Sequence, residues 1–163
     1  MTATIQTIQP MNPMYYTNTA ESIENAARGE ARVRQASQIE LIDVLFAISK
    51  QSHGFGGAIL RNLLRVNGED AYTRLKKLTN IPRGAGADKL YQNMQVLNVF
   101  DRNAERVARE QRHTHIESDD VLFAVFEEGA QDPVISKLMT DLKITPKALR
   151  DESVKARSRI RSY

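Results

Sequence analysis

The tetrapeptide Val-Leu-Phe-Ala occurs twice in this 163-residue chain, at 44–47 and again at 121–124. The flanks repeat in the same 77-residue register. Ile23 falls on Phe100, Ala27 on Ala104, Ala31 on Ala108, Ile39 on Ile116, Glu40 on Glu117, Asp43 on Asp120 and Ile48 on Val125. A period this long, used only twice, points to a duplicated helical unit rather than an open-ended solenoid. Past the tetrapeptide the match resumes with a one-residue slip, Ala58-Ile59 meeting Val134-Ile135. The slip falls between helices, where a change of length costs least.

Helical spacing then sets the expected elements. Thr17 is placed to cap a helix carrying Ala20, Ile23, Ala27 and Ala31. Leu41, Val44, Leu45 and Ile48 form a second stripe, and the glycines of 53–57 read as a loop. Ile59 to Val66 and Glu69 to Leu78 supply two more short helices. The run Ile81-Pro82-Arg83-Gly84-Ala85-Gly86-Ala87 suits a linker. A longer helix is expected from about Asp88 to Arg112. Ser118 is placed to cap the next helix, Gly129 breaks it, and Asp132-Pro133 and Thr145-Pro146 both read as helix starts. The expected fold is all-α, with about eight helices in two pseudo-symmetric four-helix repeats sharing one compact domain. Residues 1–15 form a flexible arm, 16–79 the first repeat, 80–87 the linker, 88–150 the second repeat and 151–163 a basic tail.

Composition narrows the function classes. The chain has no cysteine, which excludes disulfides and thiol chemistry. It has no apolar run near the roughly 20 residues a membrane helix needs and no basic-then-apolar start of an export signal. A soluble cytoplasmic protein with no membrane partner is expected. The net charge is only +3, from 23 basic and 20 acidic residues, and the excess gathers after Lys143. A basic end of this kind is usually a solvated, frayed tail, and nucleic acid, an acidic protein or a membrane surface are what it could touch otherwise. The mixed-sign run Arg102, Glu105, Arg106, Arg109, Glu110 and Arg112 fits a solvated helix face rather than a one-sided basic surface.

Reactive chemistry finds no anchor. There is no phosphate-cradling G-x-x-x-x-G-K-[ST] loop, so no nucleotide cofactor is expected, and no serine, histidine and acid arrangement marks catalysis. His113 and His115 would share a metal only with two further ligands folded nearby, so no metal is expected. His53 reads as exposed. Phe46 and Phe123, at matching positions, read as core, as does Tyr16. Tyr15 and Phe55 are the aromatic residues with the best claim on a partner.

The order of these motifs resembles the Clp N-terminal domain, the paired-repeat module at the front of bacterial Clp/Hsp100 unfoldases. Its repeats open with F-T-x-x-A, continue through alanine-spaced helix positions, and reach I-G-T-E-H-L-L-L-A-L-L. The first copy here shows Tyr16-Thr17-Asn18-Thr19-Ala20 and then Ile39-Glu40-Leu41-Ile42-Asp43-Val44-Leu45-Phe46-Ala47-Ile48. The second shows Ala104, Ala108 and Ile116-Glu117-Ser118-Asp119-Asp120-Val121-Leu122-Phe123-Ala124-Val125. Asp43 and Asp120 stand at the family's histidine. The residue before it is often a glutamate, associated in some branches with binding phosphorylated arginine. Ile42 and Asp119 occupy that position here, so only the second repeat keeps a carboxylate.

The resemblance implies a non-enzymatic module whose partners are protein substrates or adaptors and unfoldase ATPase modules. Its expected partner-binding residues are Glu40, Glu117, Asp119 and Asp120, which would attract basic segments. The alternative is a small helical protein that binds nucleic acid or forms oligomers.

Overall fold

The computed structural model describes residues 13–161. Most of the expected arm, residues 1–12, and the last two residues of the expected tail lie outside them. Helix α1 (Asn18–Val33) starts where expected, the Thr17 Oγ1 accepting the Ala20 N–H at 3.3 Å. Its buried stripe is mostly alanine, and the small side chains let α2 (Leu41–Ser49) lie close against it. Every residue of α2 is buried, which explains its unbroken apolar sequence. α3 (Phe55–Leu63) follows, and then α4 (Ala71–Thr79), capped by Asp70.

The second repeat opens with one rod in three pieces: α5 (Met94–Asn98), a π-helical turn (Val99–Asn103) and α6 (Ala104–Glu110). After it come α7 (Ser118–Glu128), a 3-10 turn (Gly129–Gln131), α8 (Pro133–Leu142) and α9 (Pro146–Arg161). With the rod counted once, the described residues form eight helices in two similar repeats. The core runs through both, and Phe46 and Phe123 are buried at 5% and 7% exposure.

Backbone detail is duplicated as well. Gln35 and Arg112, 77 residues apart, both take left-handed φ values of 56° and 62°. Each is followed by a closing bond of 2.9 Å, from the Ala36 N–H to Ala31 O and from the His113 N–H to Ala108 O. This closure satisfies carbonyls left open at a helix end.

Short strands tie the repeats together. Gln38–Ile39 (β1) pairs in parallel with Tyr91–Gln92 (β2). That pairing, with Asn93 capping α5, delays the second repeat's helix from the expected Asp88 to Met94. In the reciprocal place, Tyr16 bridges Ile116 in parallel, with bonds of 2.9 Å on both sides. Tyr16 also donates its hydroxyl to the Phe100 carbonyl at 2.5 Å, and burial, then Glu24, raises its pKa.

The expected glycine loop at 53–57 ends at Gly54, and Gly56 and Gly57 lie inside α3. Gly54 has a left-handed φ of 92°, which favours glycine. A Cβ on Gly56 would stand 2.8 Å from the Ser118 carbonyl oxygen, so glycine there lets the start of α3 seat directly on the start of α7. The linker is also docked: the Gly84 and Gly86 N–H groups bond to the Arg34 and Gln35 carbonyls. Residues 151–161, expected as a solvated end, continue α9. They bury Ser153 and turn Arg157 inward.

Candidate functional site

The two second helices start alike. In each, the third helical residue is a buried aspartate, Asp43 or Asp120, whose carboxylate accepts the N–H of Glu40 or Glu117 at 2.9 Å. An anion at a helix N-terminus gains from the open N–H groups and the helix dipole. Ser118, expected as the cap, is the first helical residue, because the helix starts one residue earlier and Glu117 holds the cap position. The Ser118 hydroxyl instead accepts the Gly56 N–H at 2.8 Å.

What balances each aspartate differs. Arg34 grips Asp43 with two bonds of 2.8 and 2.7 Å and reaches Glu40 at 3.1 Å. Burial raises the Asp43 carboxyl, and Arg34 offsets part of that. In the second repeat Gln111 occupies the register of Arg34 and makes only a 3.4 Å contact with Asp120. His113 Nδ1 supplies the closer contact, at 2.8 Å. Without a permanent cation the Asp120 carboxyl is pushed up to about 6, first by burial and then by the charge of Asp119.

Asp119 has no counterpart in the first repeat, where the buried Ile42 stands in its place. It is fully buried and faces Arg157 of α9. The Arg157 Nη2 lies 2.9 Å from both carboxylate oxygens and also bonds to Glu117, and the Ser153 hydroxyl donates to Asp119 at 3.2 Å. Phe55 closes the seat, with the guanidinium carbon 4.2 Å from its ring centroid. Burial works against the Arg157 charge, but Asp119 and Glu117 outweigh it and raise its pKa. Among the described residues the buried Arg157 Nε has no hydrogen-bond partner. The seat draws Phe55 from the first repeat and the acids from the second.

The structure therefore brings Glu117, Asp119 and Asp120 together. Glu40 stands apart from them, in the equivalent cap of the first repeat, half-buried beside Arg34. The carboxylates of Asp119 and Asp120 are interior groups. His113, Glu117, Asp119 and Asp120 each place one ligand atom within 4.8 Å of the others, a donor set suited to a divalent ion, but the Arg157 guanidinium already supplies the positive charge there. His115, the other candidate ligand, is exposed and contacts Thr114. Two further basic residues of α9 are paired along the helix, Lys147 with Asp151 and Lys155 with Glu152. Elsewhere in the second repeat, Phe123, Phe126, Val107, Met139 and Leu149 line an apolar groove of about 460 Å³, rimmed by Glu110, Glu127 and Arg150.

The profile of the Clp repeat N-terminal domain matches residues 15–142. The chain belongs to the Clp N-terminal domain family. Solved structures of the same fold include the Hsp104 N-terminal domain from Candida albicans, at 19% identity and a TM-score of 0.64, covering 88% of this chain and 91% of that one. A structure described as part of a malarial protein secretion system matches at 17% identity and a TM-score of 0.60, covering 86% and 92%. The N-terminal domain of the caseinolytic protease associated chaperone ClpD from Arabidopsis thaliana matches at 13% and 0.52, covering 90% and 94%. At these identities the likeness shows the fold alone. No curated protein sequence matches the chain.

The Clp N-terminal domain is a non-catalytic module that binds proteins and adaptors, and it partners with Clp/Hsp100 ATPase modules and substrates. Among the described residues no helix is long and apolar enough to cross a membrane. In this Clp domain the two repeats share a scaffold and differ at its acidic helix starts. Neither Arg157 nor Phe55 belongs to the repeated motif, so the arginine seat carries no signal in the duplication. His113 does have one, since it follows directly on a helix end that the duplication marks.

Proposed function

We propose that this Clp domain receives protein substrates or adaptors for a Clp-type unfoldase, and that its acidic helix starts recruit basic partner segments. Glu117 and Asp119 hold the arriving arginine, Asp120 fixes the helix start beneath them, and Glu40 offers the weaker equivalent in the first repeat. The observation that carries this reading is the seat of Arg157, which shows the chemistry needed to hold an arginine: two carboxylates on one guanidinium and an aromatic face beside it.

Arg157 fills the seat imperfectly, because its buried Nε has no partner among the described residues. A buried polar group left unpaired costs about 1–3 kcal/mol. A partner arginine whose own Nε finds a hydrogen-bond acceptor avoids that cost and displaces Arg157.

The test is fluorescence anisotropy with the labelled peptide acetyl-Ala-Leu-Arg-Ala-Leu-amide. Arg157→Ala frees the seat and is expected to tighten binding about tenfold, the gain from removing an internal competitor that holds it in roughly nine molecules of ten. Adding Asp119→Asn to that variant is expected to abolish the gain. Equal affinity for the wild type and both variants, with unchanged circular dichroism, refutes the site.

A further inference from the structure

The register that superposes the tetrapeptides also superposes two grooves. Glu30, Val33, Arg34 and Phe46 line a hollow of about 280 Å³ in the first repeat, and the residues 77 positions on, Val107, Glu110, Gln111 and Phe123, line the larger groove of the second. The position of Val33 carries an acid in the second repeat, and that of Arg34 a neutral amide. The first groove's lining holds Arg34, Lys76 and Arg83 against Glu30, whereas the second holds Glu110 and Glu127 against Arg150. Equivalent hollows have thus taken opposite sign.

Internal partners use up some of these charges. Glu30, at 6% exposure, is held by Lys50 at 2.5 Å and by the Tyr72 hydroxyl at 2.9 Å, so the first groove's only lining carboxylate is neutralised from within. Arg34 is spent on Asp43 and Glu40. Lys76 and Arg83 remain. The Lys76 ammonium sits 5.1 Å from the Tyr72 ring centroid, and Arg83 bonds to the Val33 carbonyl, at 3.3 Å. Among the described residues neither makes an ion pair with a carboxylate at contact distance, although Lys76 is near enough to Asp70 to help lower the pKa of its exposed carboxyl. Between them the floor is Phe46, Tyr72 and Ile81, and Val33 stands 63% exposed at the mouth. An apolar floor with exposed cations on its rim is complementary to an apolar side chain flanked by carboxylates.

We infer that the first-repeat groove docks an acidic segment of a partner protein, with an apolar anchor against Phe46 and Tyr72 and carboxylates on Lys76 and Arg83. The inference rests on the reading of this chain as a protein-binding module. It gives that module a second surface, opposite in preference to the arginine seat. Because both cations are exposed, the attraction is screened by salt.

The experiment measures anisotropy of the labelled peptide acetyl-Glu-Leu-Glu-Phe-Glu-Glu-amide beside that of the arginine peptide. Binding of the acidic peptide is expected to weaken as sodium chloride rises. Lys76→Glu with Arg83→Glu is expected to weaken it about tenfold or more, while binding of the arginine peptide to the Arg157→Ala protein is unmoved. Lys147→Glu, at a residue that belongs to neither the groove nor the arginine seat, is expected to change neither. If the charge reversals disturb the fold by circular dichroism, Lys76→Gln with Arg83→Gln decides, with a smaller loss expected. Undiminished binding in the decisive variant overturns the groove. So does absence of acidic-peptide binding where the arginine peptide still binds, and the module reading then stands. Failure of both peptides overturns both.

Discussion

Replacing glycine by alanine at two helical positions is expected to give shifts of opposite sign. Gly29 lies on the exposed face of α1, with nothing within 4 Å of a built Cβ. Gly29→Ala should therefore gain the ordinary helix preference, about 0.5–1 kcal/mol. Gly56 lies in the first turn of α3, where the same methyl would meet the Ser118 carbonyl oxygen at 2.8 Å and its carbon at 2.9 Å. Those are backbone atoms at the start of α7, a helix buried through most of its length, and they cannot rotate away. Overpacking of this kind costs about 1–3 kcal/mol, which outweighs the helix gain and leaves Gly56→Ala destabilised by about 1–2 kcal/mol. Relieving the contact by separating the helices would also lengthen the 2.8 Å bond from the Gly56 N–H to the Ser118 hydroxyl. Urea titrations followed by circular dichroism should place the two variants on either side of wild type, about 2 kcal/mol apart with unchanged slopes. A Gly56→Ala protein as stable as Gly29→Ala would refute the close seating of α3 on α7.

Two further outcomes follow from the buried polar groups. Burial and Asp119 raise the folded Asp120 carboxyl to about 6 from its ordinary 3.8, so its contribution to stability is present below the unfolded value and is lost as pH rises through about 6. Relative to Asp120→Asn, the wild type should lose about 2 kcal/mol between about pH 4 and pH 7.5, measured by urea titration at each pH; a constant difference would show that the carboxyl titrates normally. Tyr16→Phe removes the 2.5 Å bond to the Phe100 carbonyl and should lower stability by about 1 kcal/mol in thermal unfolding, with no loss indicating that water replaces the hydroxyl.

The parts of the fold legible in the sequence are those decided by local chemistry and by repetition. The Phe46 and Phe123 core positions, the caps at Thr17 and Asp132, and the count of helices all follow from spacing and duplication. Ser118 misleads because two polar residues compete for one helix start, and only the tertiary contact with Gly56 shows which prevails. Gly56 and Gly57 read as a loop because a glycine needed for close approach looks like one needed for a turn. The acidic cluster was visible as residue types, but its burial and its pairing with Arg157 were not, since that arginine lies 38 residues beyond Asp119 in a stretch with no apolar period of its own. The opposite sign of the two grooves is half legible, in Val33 against Glu110 and Arg34 against Gln111. The other half depends on which charges fold onto internal partners.

The pairing of Tyr16 with Ile116 and of Gln38–Ile39 with Tyr91–Gln92 gives each half of the chain the strand that the other needs. Contacts that reciprocate in this way are those of a two-fold symmetric dimer. The fused chain is thus arranged like a dimer whose subunits share one backbone. Cut between residues 80 and 81, the halves would each expose the face built to receive the other, and their concentration would govern whether either folds.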